Sequence, residues 1–259
     1  MDKTEIMRKI ISKRDFSQLP AKDVGLAFGK FEKRQCSEEE KIDLTRDLLR
    51  KVFSAFTSHK ILSLKNKDEE WILRKHLSTR ERLPYYNQIY HRILKDIKDK
   101  ITILDLGAGI NGFSYKYFSK NINYVGIESM GQLVDLMNFY FKNKNINAKA
   151  KAIHESLFNI DKIKKTILEN KGKKILFLFK VIDSLEMLQR DYSKKLLFEI
   201  SPIADKVVVS FATQSMIKRE KFKVNRGWII EFIKQNFNVL DEFEFGGERY
   251  LVFRSKQFK

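Results

Sequence analysis

Hydrophobic positions change their period along the chain: up to about residue 75 they recur at helical spacing, and beyond residue 100 they gather into short apolar runs between helical stretches. Ile6, Ile10 and Ile11 mark a first amphipathic helix. Val24, Leu26, Ala27 and Phe31 mark a second after Pro20, because proline suits a first turn where its missing N–H has no intrahelical role. A third starts with Ser37 as N-cap and Glu38, Glu39 and Glu40 where the helix dipole favours acids, and it carries Ile42, Leu44, Leu48, Leu49, Val52, Phe53 and Phe56. Residues 76–99 read as a helix capped by Ser78 or Thr79 and running through Tyr85, Ile89, Tyr90, Ile93 and Leu94. Arg80 and Arg82 then fall in its first turn, against the dipole, which suggests a ligand or a carboxylate such as Glu81 or Glu70.

The pattern turns on Ile101-Thr-Ile-Leu-Asp-Leu-Gly-Ala-Gly-Ile-Asn-Gly112. Ile101, Ile103 and Leu104 form a buried strand, and Gly107, Gly109 and Gly112 make a turn where bare backbone can approach a ligand before a helix opens near Phe113. Strands and helices then alternate: strand 123–127 ending at Glu128, helix 132–141, strand 148–154, helix 161–168, strand 174–179, helix 192–200, strand 206–211 and helix 228–235. Residues 238–245 and 248–254 form an antiparallel hairpin at Gly246-Gly247.

The three glycines do not choose a cofactor. With Glu128 closing the next strand they also fit a dinucleotide fingerprint. Asp105, two residues before the first glycine, favours S-adenosylmethionine because a carboxylate there can orient the ammonium of an amino-acid end. The long helical segment before the strand and the closing hairpin favour it too. The fold expected is α/β, a class I S-adenosylmethionine-dependent methyltransferase: Rossmann-like, mostly parallel, with a C-terminal antiparallel hairpin. An all-helical N-terminal domain, residues 1–75, precedes a cofactor-binding domain, residues 76–259.

Among the 259 residues the formal charge is +18 and the pI about 9.7. That is the footprint of a protein that meets phosphate backbones, although a lysine-biased composition produces the same excess. Arg46, Arg50, Lys51, Lys60, Lys65 and Lys67 lie between the apolar positions of the N-terminal helices, so that unit is expected to dock RNA. Cys36 is the lone cysteine, which excludes an internal disulfide. With neither signal-type start nor membrane-length apolar run, a soluble cytoplasmic monomer with no metal and no membrane partner is expected.

The segment His76-Leu-Ser-Thr-Arg-Glu-Arg-Leu83 resembles the His-x-Ser-Thr-x-Glu-Arg element of the aminoglycoside-resistance 16S ribosomal RNA (guanine-N7) methyltransferases. Ile103-Leu-Asp-Leu-Gly-Ala-Gly109 is similar to their cofactor loop, and Leu178-Phe-Lys180 with Leu185 and Gln189 and Val208-Val-Ser-Phe211 with Ser215 extend the likeness. The resemblance implies that Arg82 pairs with the methionyl carboxylate and that Gly107, Ala108 and Gly109 pass along the cofactor. It implies that Glu128 binds the ribose, that Glu155 and Ser156 lie beside the adenine, and that Gln189 completes the pocket. His76 belongs to the same set, with a structural role as its alternative. Lys180, Ser210 and Phe211, at strand ends, are the candidates for holding the target base; Phe113, Tyr115 and Trp228 are aromatic alternatives, each also a natural core residue.

The implied reaction is methylation of guanine N7 in 16S rRNA of the small ribosomal subunit, by positioning and without a general base, with aminoglycoside resistance as its consequence. The sequence departs from the family pattern at Asp183 and Ala212, where prolines are expected, and at 217–225, which lacks the family's glycine-containing loop. Two other classes stay open: a non-catalytic ribosome-binding protein that keeps the fold, and a methyltransferase for another RNA position or a small molecule.

Overall fold

The computed structural model describes residues 2–54, 61, 68–97, 99–118, 122–213 and 226–256. Among these, β1 (Ile101–Leu106), β2 (Ile122–Glu128), β3 (Ala150–His154), β4 (Lys173–Phe179), β5 (Lys206–Ala212), β6 (Phe237–Phe245) and β7 (Glu248–Ser255) form one sheet in the order β3-β2-β1-β4-β5-β7-β6. The first five strands run parallel, and β7 lies antiparallel between β5 and β6. This is the class I methyltransferase architecture. Every residue of β1 is buried, as expected for a central parallel strand covered on both faces.

The helices are α1 (Lys3–Ile11), α2 (Ala21–Gly29), α3 (Glu38–Leu49), α4 (Glu69–Lys75), α5 (Leu77–Arg82), α6 (Tyr86–Leu94), α7 (Gly131–Asn143), α8 (Ile160–Glu169), α9 (Ile182–Leu188), α10 (Tyr192–Ile200) and α11 (Gly227–Asn236). Ser37 caps α3 as anticipated, its hydroxyl accepting the Glu40 N–H. The N-terminal helices share one continuous core with the sheet: Ile6, Phe16, Val24, Leu49 and Ile72 pack in the same apolar cluster as Ile103 and Phe177.

Five local expectations are corrected. The helix over 76–99 breaks, because Pro84 lacks an N–H for α5 to continue; a 3₁₀ turn, Leu83–Tyr85, intervenes before α6. Arg82 therefore ends α5, where the dipole favours a cation. Neither Ser78 nor Thr79 is the cap: His76 holds that position and the Thr79 hydroxyl donates to the Leu73 carbonyl. The turn after the glycines is 3₁₀ (Asn111–Tyr117), and α9 was not foreseen in the segment after Lys180.

Arg46 is also engaged within the fold. Its guanidinium donates to the Lys9 and Ile10 carbonyls and so closes the C-terminal end of α1. Lys60, Lys65, Lys67, Phe56, Ser215 and the 217–225 segment lie outside the described residues.

Candidate active site

A pocket opens where β1, β2 and β4 end. That edge is where open α/β sheets place ligands. After β1 the chain turns through Gly107 (φ +75°) and Gly109 (φ +55°), in the left-handed region that favours glycine. A Cβ at Gly107 would meet Val181 at 2.6 Å, and one at Gly109 would come within 3.3 Å of His76 Nε2. Both positions thus need glycine for conformation, and Gly107 needs it for space as well.

Glu128, at the end of β2, accepts N–H bonds from Gly109 at 2.8 Å and Met130 at 2.9 Å. Burial lifts its carboxyl above the usual range, against the pull of those two donors. Leu157, Phe158, Leu185 and Leu188 form apolar walls, and Val52 and Phe53 reach in from the N-terminal helices.

Behind the wall made by Phe179 and Lys180 lies a buried charge cluster. Arg82, 3% exposed, donates through Nε to both oxygens of Glu248, at 3.1 and 3.0 Å, and through Nη1 to Asn111 Oδ1 at 3.1 Å. Its guanidinium lies 4.9 Å from the Phe179 ring centre. Lys180 Nζ stands 2.6 Å from Glu81 Oε2 and 3.1 Å from Glu248 Oε2. The Ser210 hydroxyl donates to Glu248 and accepts the Lys180 N–H at 3.1 Å. Burial works to raise the Glu248 carboxyl, but Arg82 and Lys180 prevail and hold it below the ordinary range. Burial, aided by the Arg82 and Lys180 charges, pushes His76 down to about 3, so its ring is neutral near pH 7.

Of the cofactor residues anticipated, His76, Gly107, Gly109 and Glu128 line the pocket. Arg82, Asp105, Ala108, Glu155, Ser156 and Gln189 are outside its lining. Asp105 is buried, with Oδ2 accepting from Asn111 at 2.7 Å and Tyr124 at 2.8 Å, and burial raises its carboxyl. Ser156 donates to Asp23 of α2, Glu155 bonds Asn159, and Gln189 is exposed at the end of α9. Of Lys180, Ser210 and Phe211, Lys180 alone lines the pocket, and it is ion-paired rather than free in water. Phe113 and Phe211 are core residues, and Trp228 lies under Lys194.

Glu248, Ser78, Val52, Phe53 and Ser184 were missed. Glu248 carried one faint signal, an acid two residues before the apolar run Tyr250–Phe253, but nothing local named its partner 166 residues away. Among the described residues no cluster of His, Cys, Asp and Glu suits a metal ion, and no helix is long and apolar enough to cross a membrane.

Residues 46–226 match the family described as ribosomal RNA methyltransferase (FmrO). The chain belongs to that family. No curated protein matches it by sequence. Among solved structures it is similar to the 16S rRNA methyltransferase RmtF in complex with S-adenosyl-L-homocysteine, with 20% identity, a TM-score of 0.79 and coverage of 98% of this chain and 100% of that one. The 16S rRNA methylase RmtB gives 18% and 0.77, covering 99% of each chain. An rRNA methylase from Escherichia coli gives 18% and 0.76, covering 98% of this chain and 99% of that one. Identities this low speak for the fold.

A ribosomal RNA methyltransferase of this fold takes S-adenosylmethionine, and the pocket suits it. Glu128 offers a carboxylate to hydroxyl donors, the apolar walls suit a purine, and the glycine cradle leaves bare backbone where Cβ atoms would intrude. In this methyltransferase the two departures at expected prolines are joined by one side chain. Arg226 bonds Asp183 at 2.6 Å and donates to the Ala212 carbonyl at 2.6 Å.

Proposed function

We propose that the protein methylates N7 of a guanine in 16S rRNA of the small ribosomal subunit, and that the modification protects the ribosome from aminoglycosides. The observation that supports this most is the state of the ionisable side chains lining the pocket. His76, held down at about 3, is too weak a base to take a proton near pH 7, Lys180 is paired with two carboxylates, and each oxygen of Glu128 already accepts a backbone N–H. None is poised as a base. Guanine N7 has an in-plane lone pair and no proton, so it needs none.

S-adenosylmethionine, when bound, supplies an electrophilic methyl on sulfur. Glu128 would hold the ribose, and the Gly107–Gly109 turn would lie along the amino-acid end. Phe179, Lys180 and Val181 form the wall at the end of β4, where the base is to be placed. Orientation alone is worth up to about 7–11 kcal/mol in favourable intramolecular cases. Extruding a stacked base costs roughly a few kcal/mol, which binding to the rest of the RNA must offset.

That binding falls to exposed cations of the N-terminal helices and their connections, among them Lys13, Lys22, Lys30, Lys33 and Arg34. We read the partner as the small subunit met by a monomer.

The test is transfer of labelled methyl from S-adenosylmethionine to purified small subunits and to naked RNA, then borohydride/aniline cleavage. Label with one cleavage site supports the proposal and names the nucleotide. Label without cleavage moves the target off N7, and cofactor binding without label favours a ribosome-binding protein.

A further inference from the structure

Glu248 opens β7, far in sequence from the glycine turn and from α5, yet it is 1% exposed and touches three residues that the pocket wall depends on. One oxygen accepts from Arg82 and from the Ser210 hydroxyl, and the other from Arg82 and Lys180. Two buried cations at one wall repel each other and would part without an anion between them. Glu81 reaches Lys180 only and is the more exposed of the two acids.

The strand register accounts for the placement. Glu248 pairs with Ala212 of β5 and with Phe245 of β6, so the tight turn at Gly246-Gly247 fixes it at the ligand edge of the sheet. A Cβ at Gly246 (φ +57°) would lie 2.6 Å from the Tyr85 ring, just after α5, so the same turn packs against the segment that carries Arg82. Lys180 itself has φ +57°, a conformation costly for a lysine, and its N–H is held by Ser210, the residue Glu248 also binds.

We propose that Glu248 is a positioning residue: it holds Arg82, Lys180 and Ser210 as one unit, and thereby sets the amino-acid end of the cofactor site and the β4 wall beside it. This rests on the reading of the pocket as a S-adenosylmethionine site. Glu248 acts through Arg82 and Lys180 and touches no reacting atom. Arg82, bonded to a carboxylate and to the Asn111 amide just after the glycine turn, stands behind the pocket wall as part of a neutralised pair and bears on the site through Asn111 and that wall.

The experiment is calorimetric binding of S-adenosylhomocysteine and of 5′-methylthioadenosine, which lacks the amino-acid end, to the wild-type chain and to Glu248→Gln, Arg82→Gln and the double variant. Glu248→Gln keeps the shape and removes the charge, and its thermal unfolding is followed in parallel. The expected result is a loss of roughly ten-fold or more for S-adenosylhomocysteine and of no more than about twofold for 5′-methylthioadenosine. The double variant should be about as weak as Arg82→Gln alone, because residues acting as one unit are not additive. Equal weakening of both ligands, no weakening, or additive losses in the double variant would overturn the proposal. If Glu248→Gln does not fold, Arg82→Gln decides: loss confined to S-adenosylhomocysteine supports the unit, and equal loss of both ligands overturns it. A folded wild-type chain that binds neither ligand removes the cofactor reading, and the proposal with it.

Discussion

The hydroxyl of Ser156, just after β3, donates to Asp23 Oδ1 of α2 at 2.6 Å, and both side chains are fully buried. The N-terminal helices are thus pinned to a loop that leads directly into the pocket walls Leu157 and Phe158. Gln132, at the start of α7, adds a second tie by donating to the Arg14 carbonyl at 2.9 Å.

Asp23 is buried, and burial raises its carboxyl despite the pull of the Ser156 and Ser129 hydroxyls. Its ionised form is therefore a burden to the fold at pH values above its raised pKa. Asp23→Asn keeps an acceptor for Ser156 without the charge and should be as stable as the parent, or more so, at pH 8. Asp23→Ala orphans the hydroxyl and should cost about 1–3 kcal/mol. Denaturant unfolding of both variants at pH 8 checks the asymmetry.

Cofactor affinity should fall in acid. On the proposed reading ribose hydroxyls would donate to ionised Glu128, whose carboxyl titrates above its ordinary 4.5 because it is buried. S-adenosylhomocysteine binding should weaken as pH drops through that raised value, while Glu128→Gln should bind more weakly at neutral pH and lose the acid-side slope. Calorimetry from pH 8 down to the limit of solubility measures it. A parallel decline in the variant would assign the slope to other groups.

His76 contributes stability with the opposite dependence to a cation gaining a partner. Its folded value, about 3, lies below the ordinary 6.5, so protons favour the unfolded chain. The contribution is complete above 6.5 and is lost as pH falls from 6.5 towards 3, at up to about 1.4 kcal/mol per pH unit. His76→Asn should flatten the stability curve over that interval relative to the parent. Chemical denaturation at intervals between pH 7 and 4 gives the difference curve.

Basic residues of the N-terminal helices should divide into two kinds. Arg46→Ala removes the closure of α1 and should cost roughly 1 kcal/mol of stability, with little change in the salt dependence of RNA binding. Lys22→Glu and Lys30→Glu, both exposed, should leave stability near that of the parent and weaken small-subunit binding. The slope of log affinity against log salt should fall by roughly one for each phosphate that a variant no longer neutralises. Filter binding across a salt series separates the two kinds.

Asp183 and Arg226 should be energetically coupled. The Asp183 side chain is nearly half exposed, which discounts the pair, so a double-alanine cycle should return about 1 kcal/mol. Reversing the charges with Asp183→Arg and Arg226→Asp should recover less than the parent coupling, because an aspartate cannot donate to the Ala212 carbonyl as Arg226 does.

Much of the fold was legible because strand and helix periods are local properties. The parallel strands, the closing hairpin and the Ser37 cap follow from residues within a few positions of one another. The exceptions are also local: Pro84 broke a helix whose apolar spacing runs straight through it, and α9 hid in a segment read as a strand-end motif.

The candidate site divides in the same way. Gly107, Gly109 and Glu128 are determined by the sequence itself, because a turn that needs left-handed backbone and an acid at the end of the next strand are encoded where they occur. The partners of Arg82, Lys180 and Ser156 were decided only by tertiary structure. Glu248 reaches Arg82 across 166 residues and Asp23 reaches Ser156 across 133, and the strand order of the sheet and the packing of α2 bring them together. A buried charge must find its counterpart wherever the fold places one, and the sequence around the charge does not say where that is.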